Sequence, residues 1–185
     1  MKRLVTALML LGALAGAETL SVSLGQIACI QSEGYSRLLV QFDLSVIPES
    51  SYVYYAEIVA PCAIAETVAI ETRRITTPWS RMMVRWDHPW RKPGGDYDTT
   101  RNAVFAYIAD QHSGLSMDMT EHVRDWLRYG HSHNYGLLFR NGITRDPGFK
   151  KVQGLSGVLA NARIRVIFRR PSERDEGRGN AGTDD

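Results

Sequence analysis

The chain has 185 residues, 44% of them hydrophobic and 23% charged, with 22 Lys+Arg against 20 Asp+Glu. That length and apolar content suit one domain with a sizeable core. So even a charge balance argues against a protein whose affinity comes from a nucleic-acid phosphate backbone.

The first 17 residues read as a secretory leader. Lys2 and Arg3 form its positive end, Leu4 to Leu14 its short apolar run, and Ala15-Gly16-Ala17 the small residues before a cleavage expected ahead of Glu18. The run is too short for a membrane-spanning helix and no second apolar stretch follows. A secreted, periplasmic or cell-surface location is therefore expected. Without Lys2 and Arg3 the mature chain carries 20 residues of each sign. The polar tail, residues 171–185, has two Arg against five acids, a net of −3, which leaves the domain of residues 18–170 at +3. With almost no apolar content, that tail is expected to be disordered. Cys29 and Cys62 are the only cysteines. In an oxidising compartment a disulfide between them is expected, stabilising the fold by roughly 4 kcal/mol through loop entropy.

Short strands between turn signals predict an all-β domain. In Ser36–Leu44, Leu38, Val40, Phe42 and Leu44 alternate with Arg37, Gln41 and Asp43, as a strand with one buried face requires. Tyr52–Ala60 and Val68–Ile75 predict two more strands. Met82–Trp86 and Val104–Ala109 predict short ones, with the Pro/Gly-rich loop Asp87–Asp98 between them. Asp118 and Glu121 have the spacing of a reciprocal helix cap, Met119, Val123, Trp126 and Leu127 recur at helical spacing, and Gly130 closes the segment. Ten residues make a marginal helix alone, so it must dock on the sheet, with Trp126 as anchor. Strands return at Tyr135–Arg140 and Ala162–Phe168, where Ala162, Ile164, Val166 and Phe168 point inward while Arg163, Arg165 and Arg169 point outward.

No arrangement of residues identifies catalysis. His131 and His133 lie in a Gly/Ser/Asn loop and read as solvated. Two lone cysteines lack zinc-site spacing, and the acidic loops lack the regular spacing of calcium ligands. Asp87, Asp96, Asp98 and Glu121 select no acid pair for glycoside hydrolysis. Ser156 lacks the context of a nucleophile elbow. Neither a catalytic residue nor a cofactor is expected. Aromatic and basic residues are a better lead. Trp79, Trp86, Trp90 and Tyr97 cluster in sequence with Arg85, Arg91 and Lys92, a mixture in which aromatic faces meet sugar rings and cations meet uronate carboxylates. Trp79 and Trp86 read as core or sheet-covering residues. Trp90 and Tyr97, with Arg85, Arg91 and Lys92, are the candidate ligand contacts.

Residues 36–170 resemble the secreted β-sandwich domains known as DNRLRE domains, which are related to a carbohydrate-binding module family. The matching pieces are RLLVQFDLSVIP (Arg37–Pro48), the aromatic strand with Ala56–Ile58, TTPWSRMMVRWDHP (Thr76–Pro89), SMDMTEHVRDWLRYG (Ser116–Gly130), NYGLLFR (Asn134–Arg140) and ARIRVIF (Ala162–Phe168). Phe42, Asp43, Leu44, Pro48, Trp79, Trp86, Trp126, Gly130, Asn134, Tyr135 and Gly136 occupy recurrent positions of that family, most of them structural anchors. The family's opening strand and its asparagine-containing turn are not evident in Glu18–Glu33, a segment that can hold a different strand. The resemblance implies a jelly-roll-like β-sandwich with one short docked helix, extracellular placement and, in some members, binding of acidic polysaccharides such as alginate.

The function expected is a non-catalytic, exported module that binds polysaccharide. The alternatives are a structural or protein-interaction domain of the cell envelope and, third, a polysaccharide-degrading enzyme. Neither a nucleic-acid partner nor a membrane span is expected.

Overall fold

A computed structural model of the chain describes residues 16–33, 35–60, 68–100, 104–108, 114–141 and 159–171. All but the end of the expected leader, all but the first residue of the polar tail, Cys62 and Ser156 lie outside them. Eight strands run as β1 (Glu18–Ser32), β2 (Tyr35–Phe42), β3 (Tyr52–Ala60), β4 (Val68–Arg74), β5 (Val104–Ile108), β6 (Leu115–Asp118), β7 (Leu137–Asn141) and β8 (Arg163–Arg169). One helix, α1 (Thr120–Tyr129), lies between β6 and a short 3-10 turn at His131–His133. Among the described residues the domain is all-β with this one short α-helix between strands. Its strands form one antiparallel sheet in the order β5-β4-β7-β2-β1-β8-β3-β6, and the edges β5 and β6 curl back toward each other.

The 15-residue strand β1 makes the curl possible. Its first half, Glu18–Ser23, pairs with β8, and its second half, from Leu24, pairs with β2. A register shift between Leu24 and Gln26 marks the change of partner. A bulge there bends the strand and increases its local twist. It also reverses the phase of the alternation. Leu20, Val22 and Leu24 face the main core, and so does Ile27, one residue out of step, while Ala28 and Ile30 face the other side. A strict period of two therefore misses this strand.

The concave face encloses the main core. Leu38, Val40 and Phe42 of β2, Leu137 and Phe139 of β7 and Ile70 of β4 meet Ala56 and Ile58 of β3, Met117 of β6, and Ile164, Val166 and Phe168 of β8. Helix α1 caps this core with Val123, Trp126 and Leu127, and Trp126 is 1% exposed. At its start Asp118 Oδ1 accepts from the Thr120 amide at 2.9 Å. Glu121 does not complete a reciprocal cap. Its carboxylate pairs with Arg124 at 2.7 Å instead.

A second core lies on the other face of β2 and β7. Ile30, Leu39 and Leu138 are covered by Ile75, Trp79, Val84 and Trp90. The covering segment corrects the strand expected at Met82–Trp86. Those residues form a turn in which the amides of Met83 and Val84 both donate to Ser80 O, at 3.2 and 3.0 Å, and they have no ladder partner among the described residues. Alternation at Val84 and Trp86 reflects a loop lying flat on a sheet, which an isolated sequence window cannot tell from a strand.

The disulfide expected between Cys29 and Cys62 is not present. Cys29 is a free, exposed thiol near Ser36 Oγ at 3.4 Å and Gln31 Nε2 at 3.3 Å. The topology gives the reason. Cys29 sits on the half of β1 that pairs with β2, whereas Ala60, the last described residue of β3, pairs with β6. Strand β8 separates β1 from β3.

Candidate functional site: a cationic aromatic depression

The sheet register gathers four charged side chains on the loop-covered face. On β2, Arg37 shares this face with Leu39. On β4, Glu71 and Arg73 alternate with the core-facing Ile70 and Thr72. On β7, Arg140 lies opposite Glu71, and Leu138 opposite Arg73. An isolated bridge between Ile75 and Tyr97 returns the loop to the end of β4. Tyr97 thereby comes to rest among three guanidinium groups, with Arg37, Arg73 and Arg140 at 5.6, 5.7 and 5.6 Å from its ring centre. Cation–π attraction favours this placement.

The three cations are not equivalent. Arg73 Nε donates to Glu71 at 2.7 Å, and Arg140 donates to the same carboxylate through Nε and Nη2, both at 2.8 Å. Burial pushes the Glu71 pKa up, but these bonds from Arg140 and Arg73 outweigh it and hold the carboxyl below its ordinary value. Arg37 makes no ion pair among the described residues. It donates to the carbonyl of Gly94 and lies 5.2 Å from the Trp86 ring, between that indole and Tyr97. Burial lowers the Arg37 pKa, yet a guanidinium stays protonated at any physiological pH. The outcome is a half-buried cation close to two aromatic rings, with no carboxylate partner among the described residues.

Beside it lies a depression of about 360 Å³, lined by Arg37, Thr76, Arg91, Lys92, Asp96 and Tyr97, with Pro93, Gly95 and Thr99. Its one carboxylate, Asp96, is occupied in building the loop. It accepts from the amides of Arg91 and Lys92 at 2.9 and 3.1 Å and from the Thr77 hydroxyl at 2.9 Å. Burial raises its pKa, and those bonds more than reverse the effect. Arg91 Nε is 3.9 Å from Asp96 and its side chain is largely in solvent, so that pair is weak. Lys92 makes no ion pair among the described residues. The depression therefore presents cations and one aromatic ring to solvent.

The structure brings Tyr97, Arg91 and Lys92 together and parts them from the other two candidates. Trp90 is 7% exposed, lies in the second core and donates its indole N–H to Arg85 O at 2.9 Å. Buried in this way, it leaves little surface for a ligand. Arg85 lines a separate depression with Arg81, Trp86 and Cys29. Trp79 is buried, and Trp86 is half-buried and stacked on Tyr35 with ring centres 6.0 Å apart. Sequence reasoning assigned Arg37 to the solvent side of a strand and overlooked Tyr35. The available signal was a lone Arg on a face that also carries Leu39.

Comparison with protein-family models finds none that matches the chain, and comparison with curated proteins finds no match either. Whatever this domain binds must accordingly be argued from its own surface. His131 is half-buried, with Nε2 2.8 Å from Ile47 O, and His133 is exposed. Among the described residues no group of three or more His, Cys, Asp or Glu could hold a metal ion. Nor is any helix among them long and apolar enough to cross a membrane.

Proposed function

We propose that this domain is a non-catalytic module, exported from the cell, that binds an acidic polysaccharide. One observation carries the reading: Arg37, which has no carboxylate partner among the described residues, lies close to both Trp86 and Tyr97 beside Arg91 and Lys92. A uronate carboxylate would supply the missing counter-charge and accept charge-assisted hydrogen bonds, and the apolar face of its ring could pack on Tyr97. A shallow site of this kind orients a polymer by charge and stacking, and nothing in it calls for bond cleavage.

The resemblance to DNRLRE domains supports the same reading. The finer architecture we infer is a jelly-roll-like sandwich, with the β1 half bound to β8, β3 and β6 as one layer and β2, β7, β4 and β5 as the other. Strand β1 would pass between layers at its bulge, as corner strands do.

The test is affinity for alginate, other acidic glycans and neutral glycans, comparing the native chain with an Arg91→Gln/Lys92→Gln variant. Both side chains are exposed, so the variant should fold normally. Binding of an acidic glycan that falls by about tenfold or more in the variant is expected from the loss of charge-assisted contacts. An affinity unchanged by the substitutions would remove the site, and failure to bind any acidic glycan would remove the function.

A further inference from the structure

The turn that covers the second core carries a feature that glycan binding does not use. Met82 is 83% exposed and Met83 65% exposed, the two largest exposures among the described large hydrophobic residues. Arg81 and Arg85 flank them, both exposed, and neither makes an ion pair among the described residues. Asp87 is the nearest acid in sequence and is also exposed, leaving this turn with an excess of positive charge. Trp86 lines one depression with Arg81 and Arg85, and it stacks on Tyr35, itself 49% exposed.

The two methionines do not belong to a loose loop. Val84 on one side and Trp79 on the other are buried in the second core. The amides of Met83 and Val84 bond to Ser80 O, and the Arg81 amide donates to Gln26 Oε1 at 3.2 Å. A fixed turn that holds two thioethers in water has an unfavourable hydration free energy unless something covers them. The residues around it state the chemistry of the cover. Arginine attracts phosphate-bearing headgroups, Trp and Tyr favour the boundary between water and acyl chains, and methionine adapts to an irregular apolar surface.

We propose that the turn Arg81–Trp86 is a lipid-surface anchor, inserting Met82 and Met83 among the headgroups of an anionic membrane while Arg81 and Arg85 pair with phosphates. Charge complementarity selects an anionic lipid surface over a neutral apolar partner. The anchor is peripheral, since two side chains and two cations give a reversible attachment. It shares Trp86 with the glycan site, since that indole contacts Arg37 and also lines the Arg81/Arg85 depression, but Arg91 and Lys92 lie outside the turn, so a membrane-bound domain could still bind a polymer.

Vesicle co-sedimentation tests the proposal, with the processed chain from Glu18 so that the apolar leader cannot itself partition. Vesicles of phosphatidylcholine and phosphatidylglycerol in equal amounts should bind the protein, and pure phosphatidylcholine should bind it much less. Met82→Ser/Met83→Ser should weaken binding by about tenfold or more, as expected from lost apolar burial. Arg81→Gln/Arg85→Gln should weaken it by about tenfold and reduce its salt dependence. All four side chains are exposed, and unchanged thermal unfolding will show that each variant folds. Absence of binding to anionic vesicles overturns the anchor, as does equal binding by the methionine variant. Self-association that disappears in the methionine variant, without vesicle binding, reassigns the turn to contact between copies. The Arg91→Gln/Lys92→Gln variant should still bind vesicles, which separates failure of the anchor from failure of the glycan site.

Discussion

Gly136 approaches β2 so closely that a Cβ on it would lie 2.2 Å from the carbonyl oxygen of Val40. Its φ of +84° is a conformation that L side chains rarely adopt. The segment before it is tied to the sheet from both sides. Asn134 Nδ2 donates to Phe42 O at 2.9 Å, and the Trp79 indole donates to Tyr135 O at 2.7 Å. Gly136→Ala must therefore push backbone from backbone at the entry to β7. We expect a loss of about 3 kcal/mol or more, combining strain at positive φ with the clash. Chemical denaturation measures it, and a change under 1 kcal/mol would contradict this close approach.

Trp126 fills the space between α1 and the main core. Trp126→Ala should cost about 3–5 kcal/mol through the cavity left behind. Phe is smaller yet keeps a ring in place, so Trp126→Phe should cost clearly less. Equal losses in the two variants would mean that the indole does not pack as the structure describes.

Asp98 joins three parts of the fold. Its carboxylate accepts from Arg74 Nη2 at 2.7 Å and from the Thr100 amide and hydroxyl at 2.8 and 2.6 Å, while Arg74 also reaches Asp125 on α1 at 3.4 Å. Burial raises the Asp98 pKa, but the bonds from Thr100 and Arg74 prevail and bring it to about 2 from 3.8. A carboxyl with a depressed folded-state pKa stabilises the fold above its unfolded value, and the contribution fades as the pH falls toward the folded one. Stability should thus decline between 3.8 and about 2, with a shallower decline in Asp98→Asn. Urea midpoints across that window check the sign. An equally steep decline in the variant would show that Asp98 is not among the groups responsible.

Cys29, as a free and exposed thiol, should react with a maleimide in the folded protein. Peptide mapping locates the adduct. Cys29→Ser should change stability by less than about 0.5 kcal/mol, as for an ordinary surface substitution. Protection of Cys29 until the protein is unfolded would contradict its position on β1.

Local pattern made much of the sheet legible. Leu38, Val40 and Phe42 repeat with a period of two because one face of β2 is buried, and Ile164, Val166 and Phe168 do so on β8. The helix was legible from the spacing of Val123, Trp126 and Leu127. The segment of β1 could be read only as a possible strand without bounds, because its bulge reverses the phase at Gly25, and Met82–Trp86 resembled a strand because a covering loop also alternates. The candidate site was harder to read. Arg91, Lys92 and Tyr97 are close in sequence, so their charge and aromaticity stood out together. Arg37 lies on a distant strand, and only the pairing of β2 with β7, and β7 with β4, brings it, Arg140 and Glu71 around Tyr97. Trp90 belonged to the same sequence cluster but went inward, because Leu39 and Leu138 leave an apolar face that must be covered. Periodicity reports which residues share a face of their own strand. What lies on that face, water or another part of the chain, depends on long-range pairing and on the free energy of covering apolar surface, and neither is written in any one segment.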